Sequence, residues 1–109
     1  SLMMLQYSTY SVISPEGCAS ILWKKAEMAE VAADTLGITA EALKKLELVD
    51  HIIPEPLGGA HRDIKLMMKN TRLALKKELS KFNKVPIEHL LKDRYSRLMN
   101  FGQTTESEK

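Results

Sequence analysis

Cysteine occurs once in these 109 residues, at Cys18, so the chain can form no internal disulfide and has no Cys-x-x-Cys pair for zinc or thiol exchange. The three histidines, His51, His61 and His89, are scattered without the spacing of metal ligands, and no metal is expected in this chain. No apolar run approaches the length that crosses a bilayer, and no basic, apolar and small-residue succession opens the sequence. There is no repeat and no low-complexity tract. Gly17-Cys18-Ala19-Ser20 lacks the glycine spacing of a nucleophile elbow, and Gly58-Gly59 is not followed by the Lys-Ser/Thr of a phosphate loop. Cys18 falls where an early helical residue would be buried, and no histidine stands near it in sequence to make a nucleophile pair. Packing explains it, and a reducing cytoplasm is the expected setting.

What is present suits one soluble globular unit, with 44% hydrophobic residues, enough for a modest core. Charge is unevenly placed. Residues 1–60 hold four Lys/Arg and eight Asp/Glu, a net −4, whereas residues 61–109 hold twelve and six, a net +6. The basic half could attract nucleic acid, an anionic membrane or a phosphate-bearing coenzyme; a solvated helix surface is the plainer explanation.

Ser14-Pro15 divides a strand rhythm from a helix rhythm. Serine accepts hydrogen bonds from the free N–H groups of a new helix, proline suits the first helical position, and Glu16 faces the positive end of the dipole. Before this point, residues 2–6 form an apolar run that reads as a buried strand lacking a preceding partner. Residues 7–13 alternate with both faces covered. After it, Cys18, Ala19, Ile21, Leu22 and Trp23 nearly encircle a short helix over 15–24, as if it were pressed between other elements. Tyr7, Tyr10 and Trp23 read as core aromatics. A second helix over 27–36 stops at Gly37, and a third runs from a Thr39 cap through Leu43 and Leu46. Residues 48–53 read as a short strand ended by Pro54 and Pro56. The spacing of Ile64, Met67, Met68, Thr71, Leu75, Leu79 and Phe82 predicts a helix over 62–82, and Pro86 starts another with Ile87, Leu90, Leu91, Tyr95, Leu98 and Met99 inward. These two are expected to pack as a hairpin.

Two blocks carry a resemblance. Ser8-Thr-Tyr-Ser-Val-Ile-Ser-Pro-Glu-Gly-Cys-Ala-Ser-Ile-Leu-Trp-Lys24 and Ile52-Ile-Pro-Glu-Pro-Leu-Gly-Gly-Ala-His-Arg62 are similar, in the right order, to the alpha-subunit family of the carboxyltransferase of multi-subunit acetyl-CoA carboxylase. The likeness covers residues 3–102, and the basic helices match more loosely than the two blocks. It implies an α/β crotonase-like parent fold, of which this chain would be a mainly α-helical C-terminal third with two or three short strands and a C-terminal helical hairpin. The implied division is a strand remnant of the core at 1–13, a helical and short-strand region at 14–60, a basic helical hairpin at 61–101 and a disordered tail at 102–109. The activity implied is transfer of a carboxyl group from carboxybiotin on a carrier protein to acetyl-CoA, giving malonyl-CoA for fatty acid synthesis. Implied partners are a zinc-ribbon-bearing beta subunit, the biotin carboxyl carrier protein and biotin carboxylase, in an alpha2-beta2 assembly without a membrane.

Such chemistry on a thioester can run on backbone N–H groups that stabilise a developing oxyanion, so it leaves little side-chain signature. The resemblance places the oxyanion-hole glycines upstream of this chain, and no catalytic residue is assigned within it. Gly58 and Gly59 permit a backbone path closed to other residues, and with His61 and Arg62 they are the candidate substrate-binding set. For Arg62 the duller alternative is a surface salt bridge, and for His61 satisfaction of nearby backbone groups. Ser14, Pro15, Glu16 and Gly17 form a structural motif, Glu16 needing no role beyond its place in a first helical turn. Two other readings remain: a basic helical interaction module that binds nucleic acid or an acidic protein, and a crotonase-type hydratase or isomerase. The latter needs a carboxylate over the thioester, and no persuasive candidate exists.

Overall fold

The fold is given by a computed structural model that describes residues 1–102, so the expected disordered tail lies outside the described residues except for Gly102. Strand β1 (Met3–Leu5) leads through an irregular stretch to helix α1 (Pro15–Leu22), a 3-10 turn (Ala26–Met28), helix α2 (Ala29–Leu36) and helix α3 (Ala40–Lys45). Strand β2 (His51–Ile53), a second 3-10 turn (Ala60–Arg62) and the helices α4 (Ile64–Asn83) and α5 (Ile87–Asn100) complete the order. The expected helical content and two short strands are therefore found.

Helices α1, α3 and α4 begin where a side chain accepts from their free N–H groups, whereas α2 and α5 have no side-chain cap. Ser14 Oγ accepts from the Gly17 amide at 3.0 Å and Thr39 Oγ1 from the Ala42 amide at 3.3 Å. Asp63 Oδ1 accepts from the Leu66 amide at 3.1 Å, which starts α4 at Ile64, two residues later than the periodicity of its apolar positions suggests. Gly37, at φ 59°, ends α2 in the left-handed conformation that glycine adopts without a Cβ clash.

Two small cores result. In the first, α1 crosses α2 through Ala19 and Ala32, both 0% exposed, with Cys18 beside them and Ile13, Trp23, Met28 and Leu36 around the rim. Two alanines at the crossing let the helix backbones approach closely. In the second, Met4, Ala40, Leu43 and Val49 join β1, α3 and the approach to β2. Fully burying a side chain such as Leu43 or Met4 contributes about 1.5–3 kcal/mol. The strands pair in parallel, Met4 opposite Ile52, with α1, α2 and α3 in the crossover between them.

Four expectations are corrected. The N-terminal strand has a partner, β2, which follows it in sequence. Residues 7–13 are irregular, and their only strand-like pairing among the described residues is an isolated antiparallel bridge from Thr9 to Thr39. Without a neighbouring strand their alternation buries nothing; Tyr7 and Tyr10 are exposed and Val12 is 102% exposed, while Trp23 is half-buried. Helix α1 buries Cys18 and Ala19 against α2 but leaves Ile21 and Leu22 in solvent, so it is covered on one side. The hairpin does not close. α4 and α5 are consecutive across Lys84, Val85 and Pro86, yet α5 has no buried residue, and Ile87, Leu91, Tyr95 and Leu98 are exposed. The two apolar stripes approach each other only near the connection, where Phe82 and Leu90 line one groove. The radius of gyration, 17.2 Å, exceeds the roughly 13 Å of a compact domain of this length.

Candidate functional site

The block 52–62 forms a braced turn. β2 hands the chain to Pro54, and Glu55 then turns back. The Glu55 carboxylate accepts from the Ala60 amide at 2.9 Å through one oxygen and from the Tyr7 amide through the other, and its own amide donates to Gln6 Oε1 at 3.1 Å. One carboxylate thus joins the exit of β1 to the far side of the glycine turn. The Asn70 amide group donates to the Pro54 carbonyl at 3.0 Å, which fixes the turn against α4. Within the turn, the Gly59 amide donates to the Pro56 carbonyl at 2.9 Å and the Arg62 amide to the Gly59 carbonyl at 3.1 Å.

The two glycines are required here. Gly58 has φ 89° and Gly59 φ 112°, and each lies under a folded-back side chain. A Cβ on Gly58 would stand 3.1 Å from Arg62 Cγ, and one on Gly59 would stand 3.1 Å from the His61 ring. The structure therefore brings Gly58, Gly59, His61 and Arg62 together as a compact turn with His61 and Arg62 exposed. Chemically, the exposed Arg62 guanidinium is the group in it that can pair with an anion. It provides no nucleophile or general base paired with a second group.

Ser14, Pro15, Glu16 and Gly17 act as a helix start. The Ser14 carbonyl accepts from Cys18 N at 2.9 Å, and Glu16 stands exposed in the first turn. A Cβ on Gly17 would lie 3.0 Å from Ile13 Cγ1, so glycine lets Ile13 fold over the helix start against Cys18. α1 packs chiefly on α2, and the 60–62 turn on α4, so the two motif blocks do not build one site.

A polar joint that the sequence did not disclose lies at the start of β2. The Asp50 carboxylate accepts from the Leu2 amide at 2.7 Å and pairs with the Arg97 guanidinium, whose other nitrogen donates to the Leu48 carbonyl at 3.2 Å. Arg97 also lies 5.5 Å from the Phe101 ring centroid. Burial acts to raise the Asp50 pKa, but the Leu2 amide and the Arg97 guanidinium together hold it below the ordinary carboxylate value. Beside it, His51 Nε2 meets Glu78 Oε1 at 2.8 Å, and Glu78 is 6% exposed. These pairs join residues far apart in the chain, so no local spacing signals them.

Along α4, next to His61, runs an apolar groove of about 630 Å³ walled by Ile64, Met67, Met68 and Leu75, with Arg72 and Lys76 at its edge. Among the described residues no group of three or more His, Cys, Asp or Glu is placed to hold a metal ion, and no helix is long and apolar enough to cross a membrane.

Comparison with known proteins bears on what this arrangement serves. Residues 1–102 match the family model described as acetyl co-enzyme A carboxylase carboxyltransferase-like. The chain is 60% identical over 101 residues to the acetyl-coenzyme A carboxylase carboxyl transferase subunit alpha of Methylococcus capsulatus, covering 93% of this chain and 32% of that protein. It is 59% identical over 103 residues to the same subunit from Neisseria meningitidis serogroup C, covering 94% and 32%. It is 56% identical over 101 residues to that of Nitrosomonas europaea, covering 93% and 31%. The chain spans about a third of the length of these curated relatives. With both motif blocks inside the matched span, the chain belongs to the acetyl co-enzyme A carboxylase carboxyltransferase-like family.

Proposed function

We propose that this chain works as the C-terminal part of a carboxyltransferase alpha subunit, in an enzyme that moves a carboxyl group from carboxybiotin on its carrier protein to acetyl-CoA and forms malonyl-CoA. The carrying observation is the match over residues 1–102 to a family whose relatives bear that name. The parent fold in this proposal is crotonase-like, and the oxyanion-stabilising amides come from segments outside this chain. The partners are a beta subunit, the biotin carboxyl carrier protein and biotin carboxylase, in an alpha2-beta2 assembly in the cytoplasm. Exposed apolar faces on α4 and α5 support a chain that works against other protein.

In this reading the residues present bind and position. The turn at Gly58 and Gly59 presents His61 and Arg62 to the anionic groups of coenzyme A, while Glu55 and Asn70 keep the turn in place. Charge-assisted hydrogen bonds contribute about 1.5–3 kcal/mol when sheltered, and exposure at Arg62 brings this near 1 kcal/mol. Arg62→Ala in the assembled carboxyltransferase is therefore expected to raise the KM for acetyl-CoA about fivefold with kcat retained. An unchanged KM removes the turn from substrate binding. The wider proposal is tested by malonyl-CoA formation from carboxylated carrier and acetyl-CoA. The chain alone is expected to be inactive, and robust turnover by it without a beta subunit refutes the division of labour.

A further inference from the structure

Helix α5 is fourteen residues long and none of them is fully buried; Leu90, half-buried on a groove it shares with Phe82 of α4, is its chief apolar anchor. Its remaining attachment is polar. Arg97 bridges the Asp50 carboxylate and the Leu48 carbonyl at the start of β2, with Phe101 beneath its guanidinium. The side chains of the pair are only 28% and 34% exposed, and water competes with them less than at an open surface. Between α4 and α5 lies a groove of about 590 Å³, to which His51, Glu78 and Lys81 contribute on one side and Asp93 and Arg94 on the other. His51 and Glu78 are already paired with each other.

The connection between the two helices is held by local bonds alone. The Lys84 amide donates to Lys81 at 3.4 Å, Val85 to Phe82 at 3.1 Å, and His89 and Leu90 both donate to the Pro86 carbonyl, at 3.0 and 3.1 Å. The first two bonds close at Val85 and the second two begin at Pro86, so the Val85–Pro86 junction is the point they leave unspanned.

We infer that α5 is a latched arm: Arg97, gripping Asp50 and the Leu48 carbonyl, holds the helix against the start of β2, and loss of that grip frees it to swing about the Val85–Pro86 junction. Release opens the groove and turns the stripe of Leu91, Tyr95 and Leu98 into a mobile amphipathic surface. Asp50 faces the Leu2 amide and Arg97, with Ser1, His51, Glu78, Lys81, Asp93 and Arg94 around the groove. Because its carboxyl is held below the ordinary value, the grip is complete above the ordinary carboxylate range. It is lost as pH falls through the lowered value.

Nuclear magnetic relaxation and residual dipolar couplings of the 109-residue chain test this. In wild type at neutral pH the α5 amides share the alignment of α4, with order parameters of about 0.85. Arg97→Ala and Asp50→Asn are each expected to lower the α5 values to about 0.6 or below and to break the shared alignment. Arg97→Lys falls between, since one ammonium cannot span both acceptors. Arg94→Ala, in the same groove but outside the grip, leaves α5 unchanged. Trp23 emission, which reports on α1 and α2, stays at its wild-type position throughout. Wild-type couplings retained in α5 of either Arg97→Ala or Asp50→Asn overturn the inference. So does wholesale unfolding of either variant, with a red shift of Trp23, because a latch releases one helix and spares the rest.

Discussion

Glu55→Ala tests whether one carboxylate braces the glycine turn. The side chain is half-buried and accepts two backbone hydrogen bonds, from Ala60 and Tyr7. A bond to a charged acceptor contributes about 1.5–3 kcal/mol, but the Tyr7 bond is open to water and the Ala60 bond only partly sheltered, so about 1 kcal/mol each is appropriate. The sum, about 2 kcal/mol, corresponds to a roughly 30-fold rise in the opening equilibrium of the turn. Amide hydrogen exchange at Ala60 reads that opening directly, with the α1 and α2 amides as internal reference. Glu55→Gln separates charge from shape. Its carboxamide keeps one acceptor oxygen and turns the other position into a donor facing an N–H, so it can keep only one of the two bonds. It is expected to show about half the effect on a logarithmic scale. Ala60 exchange within twofold of wild type in Glu55→Ala refutes the bracing role.

Two further substitutions probe backbone and packing. Gly59→Ala places a Cβ at φ 112°, against the His61 ring, and is expected to cost about 1–3 kcal/mol in a urea titration; an unshifted midpoint shows that the turn is softer than described. Ala32→Leu forces extra methylenes into the α1–α2 crossing, where the residue is 0% exposed, and is expected to cost about 1–3 kcal/mol, with Trp23 emission altered. A neutral result there means that the helices do not cross at the two alanines.

What the sequence disclosed was whatever is decided within a few residues. Ser14, Thr39 and Gly37 mark helix ends because capping bonds span three or four positions, and all three are found in those roles. Asp63 carries the same kind of signal, an acid three residues before Leu66, and reading it would have started α4 correctly. The alternation over 7–13 misled because period two implies a strand only when another strand is beside it, and here the only strand-like pairing among the described residues is a single bridge at Thr9. The stripes of α4 and α5 are correctly periodic, but periodicity names a face without saying what covers it. Glycines 58 and 59 and residues 61 and 62 are legible as a unit because they fall within five consecutive positions. Glu55, Gln6 and Asn70, which hold that unit, and the Asp50–Arg97 and His51–Glu78 pairs were not, because each joins positions that only the tertiary fold brings together.

The parallel pairing of β1 with β2 also bears on the order of folding. The bond from the Leu2 amide to Asp50 spans 48 residues, as does that from the Tyr7 amide to Glu55, so the ladder and its bracing carboxylate form only after a long segment has closed on itself. Closing a loop of that size carries an entropic penalty of roughly 3 kcal/mol plus a constant. The crossing of α1 and α2 and the turns of α4 have no such requirement and can form first. The chain should therefore collapse into helical pieces quickly and acquire its strands late, with a rate set by its few contacts of high sequence separation rather than by its helices. The glycine turn, anchored through the last contacts to arrive, is then among the final parts of the molecule to take its native geometry.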